Sequence, residues 1–397
     1  MLKKITVFIL LVLLTGFLVG CWSREEITQI AIILGTGVDW TADGRIRLTV
    51  QIAKPGSFAG GAEGGGKGRE PASWAVSAEG KSIEEAERYL AMRVPRDIYW
   101  GHCITLVIGE EMAKKGTRIV TSFFLRDREP RETMWVMVAK GEAKDVLETH
   151  SNLEKTSAQA AGLLERMKTG YSVQLREFAE MLASKGVQPV VTRVEVKEAG
   201  VTPGSEQEKK SPAHKQVEIT GVGVFKEDKL IGWLDAEKTR GLMWLKGEPM
   251  EGVITVPSPG EPDKEVSILI RRGKTKIVPK YDGKSLRFDV KIDMEGDMVE
   301  QQSLEDLAKP EKIKFLESGM AEEIKRRCNL ALKKAQKEYA VDIFGFGNAF
   351  HRKYKKEWRE LKDRWDDVFR QAEVNITVAA RVRVIGLSTK RADVPEK

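Results

Sequence analysis

Nucleophilic or metal chemistry in this chain would have to come from four histidines, His102, His150, His214 and His351, and three cysteines, Cys21, Cys103 and Cys328. The histidines are far apart and show no HxxxH spacing, and no CxxC pair completes a zinc site. His102-Cys103 has the residue types of a base and a thiol nucleophile. The pair falls in a run that reads as a strand, however, where neighbours point to opposite faces. Neither a Gly-x-Ser-x-Gly elbow nor HExxH occurs. Catalysis needs clustered groups with usable pKa values, so the chain reads as non-catalytic, with no cofactor and no metal.

Three further stretches carry partial signals. Gly61, four residues, Gly66 and Lys67 match a phosphate-binding loop until Gly68 replaces the Ser or Thr that would hold magnesium. Gly35-Thr36-Gly37 and Gly345-Phe346-Gly347 lack the third glycine and following helix of a dinucleotide site. Arg126-Asp127-Arg128-Glu129 has the charge of an anion site, but solvated or ion-paired charges at a helix end are the simpler account. Asp342 and the phenylalanines of Ile343-Phe344-Gly345-Phe346-Gly347 stand between two helical patterns, where two glycines turn the chain while the aromatics bury.

Cys21 has a different chemistry. Lys3 and Lys4, an apolar run from Ile5 to Val19, and Gly20 before the cysteine are the three parts of a secretory signal. The run is shorter than the ~20 residues a helix needs to cross a bilayer. Leu18-Val19-Gly20-Cys21 resembles the lipobox of bacterial lipoproteins, in which the thiol receives a diacylglycerol and the cysteine, carrying palmitate-type chains, becomes the first residue of the mature protein. Two acyl chains anchor stably where one is marginal. The alternatives are a plain signal peptide with an incidental cysteine and an uncleaved anchor. Residues 1–20 are thus assigned to a leader, and the rest to the outer face of the membrane.

Removing that leader from 397 residues leaves 377, enough for two or three domains at roughly 100 to 200 residues each. With 41% hydrophobic and 31% charged residues the chain has an ordinary globular composition. The net charge of +7, less Lys3 and Lys4, leaves +5. That suits an anionic membrane surface and is too dispersed for nucleic acid. With Cys21 acylated, only Cys103 and Cys328 remain, as two buried free thiols or, alternatively, one disulfide.

The elements that would position these residues alternate without a clean repeat, which argues an α+β fold. Ile27 to Val38 reads as a strand, Asp43-Gly44 as a turn, and Ile46, Leu48, Val50 and Ile52 as a half-buried partner strand. Gly56 to Gly68 is glycine-rich, a surface loop. Trp74 to Ala78 is a strand, and Ser82 with Glu85 makes a capping box for a helix ending before Pro95. Cys103 to Ile108, Met134 to Ala139 and Val187 to Val196 read as strands. Helical patterns cover Met112 to Leu125, Ala143 to His150, Ala158 to Met167 and Leu175 to Ala183. Residues 21–195 form the expected N-terminal α+β domain and 196–216 a polar linker. Residues 217–262 form a small β-rich middle domain, with a hairpin from Val217 to Leu234, then Thr239 to Leu245 and a strand at Val253 to Val256. Residues 263–390 form a C-terminal α+β domain. Two long amphipathic helices, Ile313 to Tyr339 and a stripe from Phe350 through Tyr354, Trp358, Leu361, Trp365 and Val368 to Phe369, lie on its sheet, and a last strand begins near Val374.

Taken together, Cys21-Trp22-Ser23-Arg24-Glu25-Glu26-Ile27, Gly35-Thr36-Gly37-Val38-Asp39, Trp100-Gly101-His102, Val107-Ile108-Gly109-Glu110 and Arg126 to Glu129 resemble the Ger(x)C family. So do Gly232-Trp233-Leu234, Thr239-Arg240-Gly241-Leu242, Trp244-Leu245 and Asp342 to Gly347 with Trp358, Trp365 and Phe369. The family comprises the lipoprotein C subunits of spore nutrient germinant receptors. The resemblance implies three α+β domains on the outer face of the inner spore membrane, lipidation at Cys21, and assembly with two integral membrane subunits, A and B. It implies a non-catalytic role in germination by nutrients. A solute-binding lipoprotein that captures a small nutrient between domains is the alternative, and whether this chain binds a small molecule directly stays open.

Overall fold

The computed structural model describes residues 5–6, 26–56, 71–149, 151, 153–198, 215–248 and 252–385. Cys21, nearly all of the leader, the phosphate-loop look-alike, most of the polar linker, His150 and His214 lie outside the described residues.

Parallel strands need cover on both faces, and that requirement organises the first sheet. Its nine strands run in the order β3-β2-β1-β5-β6-β7-β8-β9, with β4 pairing to β1. They are β1 (Ile30–Trp40), β2 (Ile46–Ala53), β3 (Ser73–Gly80), β4 (Asp97–Tyr99), β5 (Thr105–Ile108), β6 (Trp135–Ala139), β7 (Val190–Glu198), β8 (Lys215–Lys226) and β9 (Lys229–Asp235). β1, β5, β6 and β7 are mutually parallel and the outer pairs antiparallel. On one face α1 (Ile83–Ala91), α2 (Glu110–Lys115), α3 (Arg118–Arg126) and α6 (Leu175–Ala183) bury Leu90, Met112, Phe124 and Phe178 against Val38, Ile108 and Val138. On the other, α4 (Ala143–Glu148) and α5 (Ser157–Arg166) bury Val146 and Ala161 against Val107 and Met137. Half of the expected capping box at α1 forms: Ser82 accepts from the Glu85 amide at 3.1 Å, while the Glu85 carboxylate accepts from the Lys81 amide rather than from that of Ser82. The helix expected over Met112 to Leu125 is two, because Gly116, at φ +138°, ends α2.

The hairpin expected to open a separate middle domain at 217–262 instead extends the first sheet. β8 runs antiparallel to β7, pairing Val190 with Val224 and Glu198 with Lys215, so this stretch carries the sheet past the polar segment that precedes it. Residues 236–246, expected in a β-rich segment, form helix α7 (Ala236–Lys246), capped by Asp235 and ended by Gly247 at φ +75°. α7 buries Leu242, Met243, Trp244 and Leu245 together, which erases the one-sided apolar stripe by which a helix is recognised.

β10 (Gly252–Pro257) starts the second sheet, ordered β10-β11-β12-β13 with β11 (Glu265–Tyr281), β12 (Leu286–Gln301) and β13 (Glu373–Ile385). β12 and β13 pair in parallel, as their long helical connection requires. Val266, Ile268, Phe288, Val290 and Ile376 face inward, and α8 (Pro310–Lys333) covers them with Leu316, Met320, Ile324 and Cys328. α8 runs on into a π-helical turn, Lys334–Tyr339. The stripe from Phe350 to Phe369, expected as one helix, is three: α9 (Phe346–Lys353), α10 (Lys355–Leu361) and α11 (Trp365–Gln371). The break at Tyr354 lets its ring stack on Phe350 at 5.1 Å while its hydroxyl accepts the Tyr281 amide at 3.2 Å. The result is an α+β fold of two sheets and their helices. No helix among the described residues is long and apolar enough to cross a membrane.

Candidate functional site

One polar residue that sequence reasoning singled out, Asp342, lies at the junction of the two sheets. Asp342 is fully buried after the π-helical turn. Its Oδ1 accepts the amides of Phe344 and Gly345, both at 3.0 Å, and its Oδ2 accepts the Gly347 amide at 2.7 Å and Trp365 Nε1 at 3.0 Å. Burial pushes the carboxyl above the usual carboxylate range, and the hydrogen bonds from Gly347, Trp365 and Phe344 work against that shift. The carboxylate thus folds residues 342–347 into a cradle. Phe346 stacks on Phe288 of β12 at 4.7 Å, and Trp365 packs edge-on to Trp358 at 5.2 Å.

The cradle locks onto the loop before β7. The Gln188 amide donates to the Asp342 carbonyl at 2.6 Å, and the Asn348 amide to the Gly186 carbonyl at 3.2 Å. A Cβ on Gly347 would lie 2.7 Å from both Cα and O of Gly186, so the two backbones meet only because both residues are glycine. A second link lies at the C-terminal end of α8. The Tyr339 hydroxyl accepts the Trp233 amide and donates to the Trp233 carbonyl, each at 2.9 Å. Gly232-Trp233-Leu234 and Asp342 to Gly347 are therefore the two clasps that hold the second sheet's helices on the first sheet.

Beside the first clasp an open cleft of about 580 Å³ runs between the sheets. Tyr171 and Glu177 line one wall, and Lys246, Phe344 and Arg352 the other. Behind Ser172 of this cleft lies a group the sequence reading missed. Glu165 is fully buried, and neither carboxylate oxygen has a partner among the described residues. The neighbouring hydroxyls of Ser172 and Thr192 donate instead to the carbonyls of Glu165 and Tyr171. Burial pushes the Glu165 carboxyl up to about 8, against the smaller lowering influence of those hydroxyls. A signal was present: Ala158, Ala161, Gly162 and Glu165 are spaced i, i+3, i+4, i+7, which puts the glutamate on the buried stripe of α5.

The other candidates disperse. His102 and Cys103 lie in the turn before β5 rather than on a strand, with His102 exposed and Cys103 buried. Cys103 and Cys328 are free, and burial pushes each thiol up to about 12, away from thiolate chemistry. Arg126, Asp127 and Arg128 are exposed, while Glu129 accepts the Trp100 amide at 3.1 Å. His351 is exposed and stacks on Trp358 at 5.2 Å. Asp39, ending the Gly35 to Asp39 motif, accepts the amides of Ala143 and Lys144 at the start of α4, at 2.7 and 3.0 Å. No group of three or more His, Cys, Asp or Glu among the described residues is placed to hold a metal ion.

This two-sheet arrangement is shared with known proteins. Two family models match the chain in succession, "Spore germination protein N-terminal domain" over residues 23–196 and "Spore germination B3/ GerAC like, C-terminal" over residues 220–386. The chain belongs to the GerAC-like family of spore germination proteins. Among its relatives, Spore germination protein KC of Bacillus subtilis (strain 168) is 29% identical, over 98% of this chain and 97% of that protein. Spore germination protein B3 of the same organism is 25% identical, over 92% of this chain and 94% of that protein. The crystal structure of the GerBC protein has the same fold, with a TM-score of 0.53 at 20% identity, over 89% of this chain and 97% of that one.

Proposed function

We propose that this chain is the lipid-anchored C subunit of a nutrient germinant receptor. It is held by acylated Cys21 on the outer face of the cytoplasmic or inner spore membrane and acts without catalysis by docking onto the integral membrane A and B subunits. The observation that carries the reading is the pair of family matches, which run along nearly the whole chain from residue 23, two positions after the lipobox cysteine. The tether has a physical use: it turns docking into a near-surface encounter and raises the effective concentration of the partners. The test is co-purification of the tagged chain from spore membranes. Two integral membrane proteins should accompany the wild-type chain, and their recovery should fall with Cys21→Ala although the fold is intact. Undiminished recovery with Cys21→Ala would contradict the tether's role.

The cleft between the sheets supports a second reading, capture of a small nutrient, because aromatic Tyr171 and Phe344 meet Lys246, Arg352 and Glu177 there. Thermal stabilisation of the chain by one nutrient would favour it.

A further inference from the structure

We propose that an apolar groove at the root of the N-terminal tether seats on the anionic headgroup layer of the bilayer, so that the sheet edge as well as the lipid fixes the chain's orientation. The inference rests on acylation of Cys21 and adds a protein surface to it. The groove, about 360 Å³, is lined by Ile52, Pro55, Trp74 and Pro95, with Lys54 and Arg96 at its margin. Trp74 stands on β3, the edge strand of the first sheet, directly opposite Ile52 of β2, and is 38% exposed. Neither Lys54 nor Arg96 is paired with a carboxylate among the described residues.

The position of the tether selects the occupant. The Asp97 amide, next to Arg96, donates to the Gln29 carbonyl at 2.9 Å, and the Gln29 amide to the Glu26 carbonyl at 2.8 Å. The described part of this stretch therefore begins, at Glu26, beside the groove, with Ile27 69% exposed. From Glu26 back to Cys21 is five Cα steps, at most about 18 Å even fully extended. An acylated Cys21 sits at headgroup level, so this end of the sheet is held within that distance of the bilayer. Tryptophan at an apolar–polar boundary and basic side chains at its margin are the chemistry that an anionic layer accepts.

The test uses the acylated full-length chain in vesicles of phosphatidylglycerol and phosphatidylcholine, with Pro55→Cys, which keeps Trp74, carrying an environment-sensitive fluorophore. Val299→Cys on the second sheet serves as the reference, and Gly56→Cys, with open space at its Cβ position, reports on the same groove if Pro55→Cys fails to fold. Cys103 and Cys328 are buried and stay unlabelled. Spin-labelled lipid should quench the groove label several-fold more than the reference label, and Lys54→Glu with Arg96→Glu should bring the two to the same level. Equal quenching in chains that float with the vesicles would overturn the docking and leave the anchor standing. Chains that do not float would overturn both. A groove label already shielded in the Cys21→Ser chain free in solution would assign the cover to the chain's own glycine-rich stretch and overturn the proposal.

Discussion

The indole of Trp365 donates to Asp342 Oδ2 at 3.0 Å, 23 residues back along the chain, with both side chains buried. This bond ties the start of α11 to the loop that α9 leaves from, and the same carboxylate oxygen accepts Gly347, whose backbone touches Gly186 under the first sheet. One buried carboxylate therefore sets the shape of the aromatic layer on the second sheet and its seat on the first. Trp365→Phe keeps an aromatic ring at the site but removes the donor together with part of the indole's packing volume. It should lower unfolding stability in urea by roughly 1.5–3 kcal/mol, the range for a hydrogen bond to a charged group. An unchanged midpoint would show that the bond carries nothing.

The glycines of the cradle should separate by mechanism. Gly345 is at φ +82° with open space around its Cβ position, so Gly345→Ala should cost about 1–2 kcal/mol of backbone strain and leave the clasp intact. Gly347→Ala would drive a methyl into Gly186. Hydrogen exchange of the Asn348 amide, which donates to Gly186, reads the difference: protection should be lost with Gly347→Ala and kept with Gly345→Ala. Equal protection in both would remove the interlock from the account.

Glu165 gives a pH dependence with a definite sign. Its folded pKa, about 8, lies above its ordinary value of 4.5, so the native chain holds a proton that the unfolded chain has released. Its contribution to stability is fully present below about pH 4.5 and is lost as pH rises to about 8, at about 1.4 kcal/mol per pH unit within that window. Asp39, raised from 3.8 to about 6 mainly by burial, acts in the same direction over a narrower window. Glu165→Gln should be near neutral at about pH 4.5 and stabilising by a few kcal/mol at about pH 8, measured by urea denaturation at both. A Gln variant less stable than wild type at the higher pH would show that the carboxylate has a partner.

Cys103 and Cys328 should resist a thiol reagent in the native state and react fully on unfolding, because burial places both near pKa 12. Labelling of either at the rate of unfolded chain would contradict the burial described.

Much of the fold is legible where sequence signals are local. The Asp43-Gly44 turn, the Ser82 cap, and the alternation of Ile46, Leu48, Val50 and Ile52 are rules of neighbouring residues, and each element forms there. Asp342 was legible as a turn between helices with burying aromatics. Its four donors were not, because one of them, Trp365, arrives from a separate helix. The extension of the first sheet by β8 and β9 was hidden by a polar stretch that reads as a boundary, since strand pairing depends on edges rather than on chain continuity. Residues Thr239 to Leu245 lost their helical period because α7 is covered on several sides. Lipidation at Cys21, expected from charge, length and spacing, lies outside the described residues and belongs to the proposed function.

The receptor role is tested most directly by dipicolinic acid release from purified spores lacking this chain, exposed to a panel of nutrients and, separately, to high pressure or surfactant. The account predicts loss of the response to one nutrient class, with germination by non-nutrient stimuli intact and nutrient response restored by the wild-type gene but not by Cys21→Ala. Normal release with every nutrient, in spores that carry no second member of this family, would contradict it.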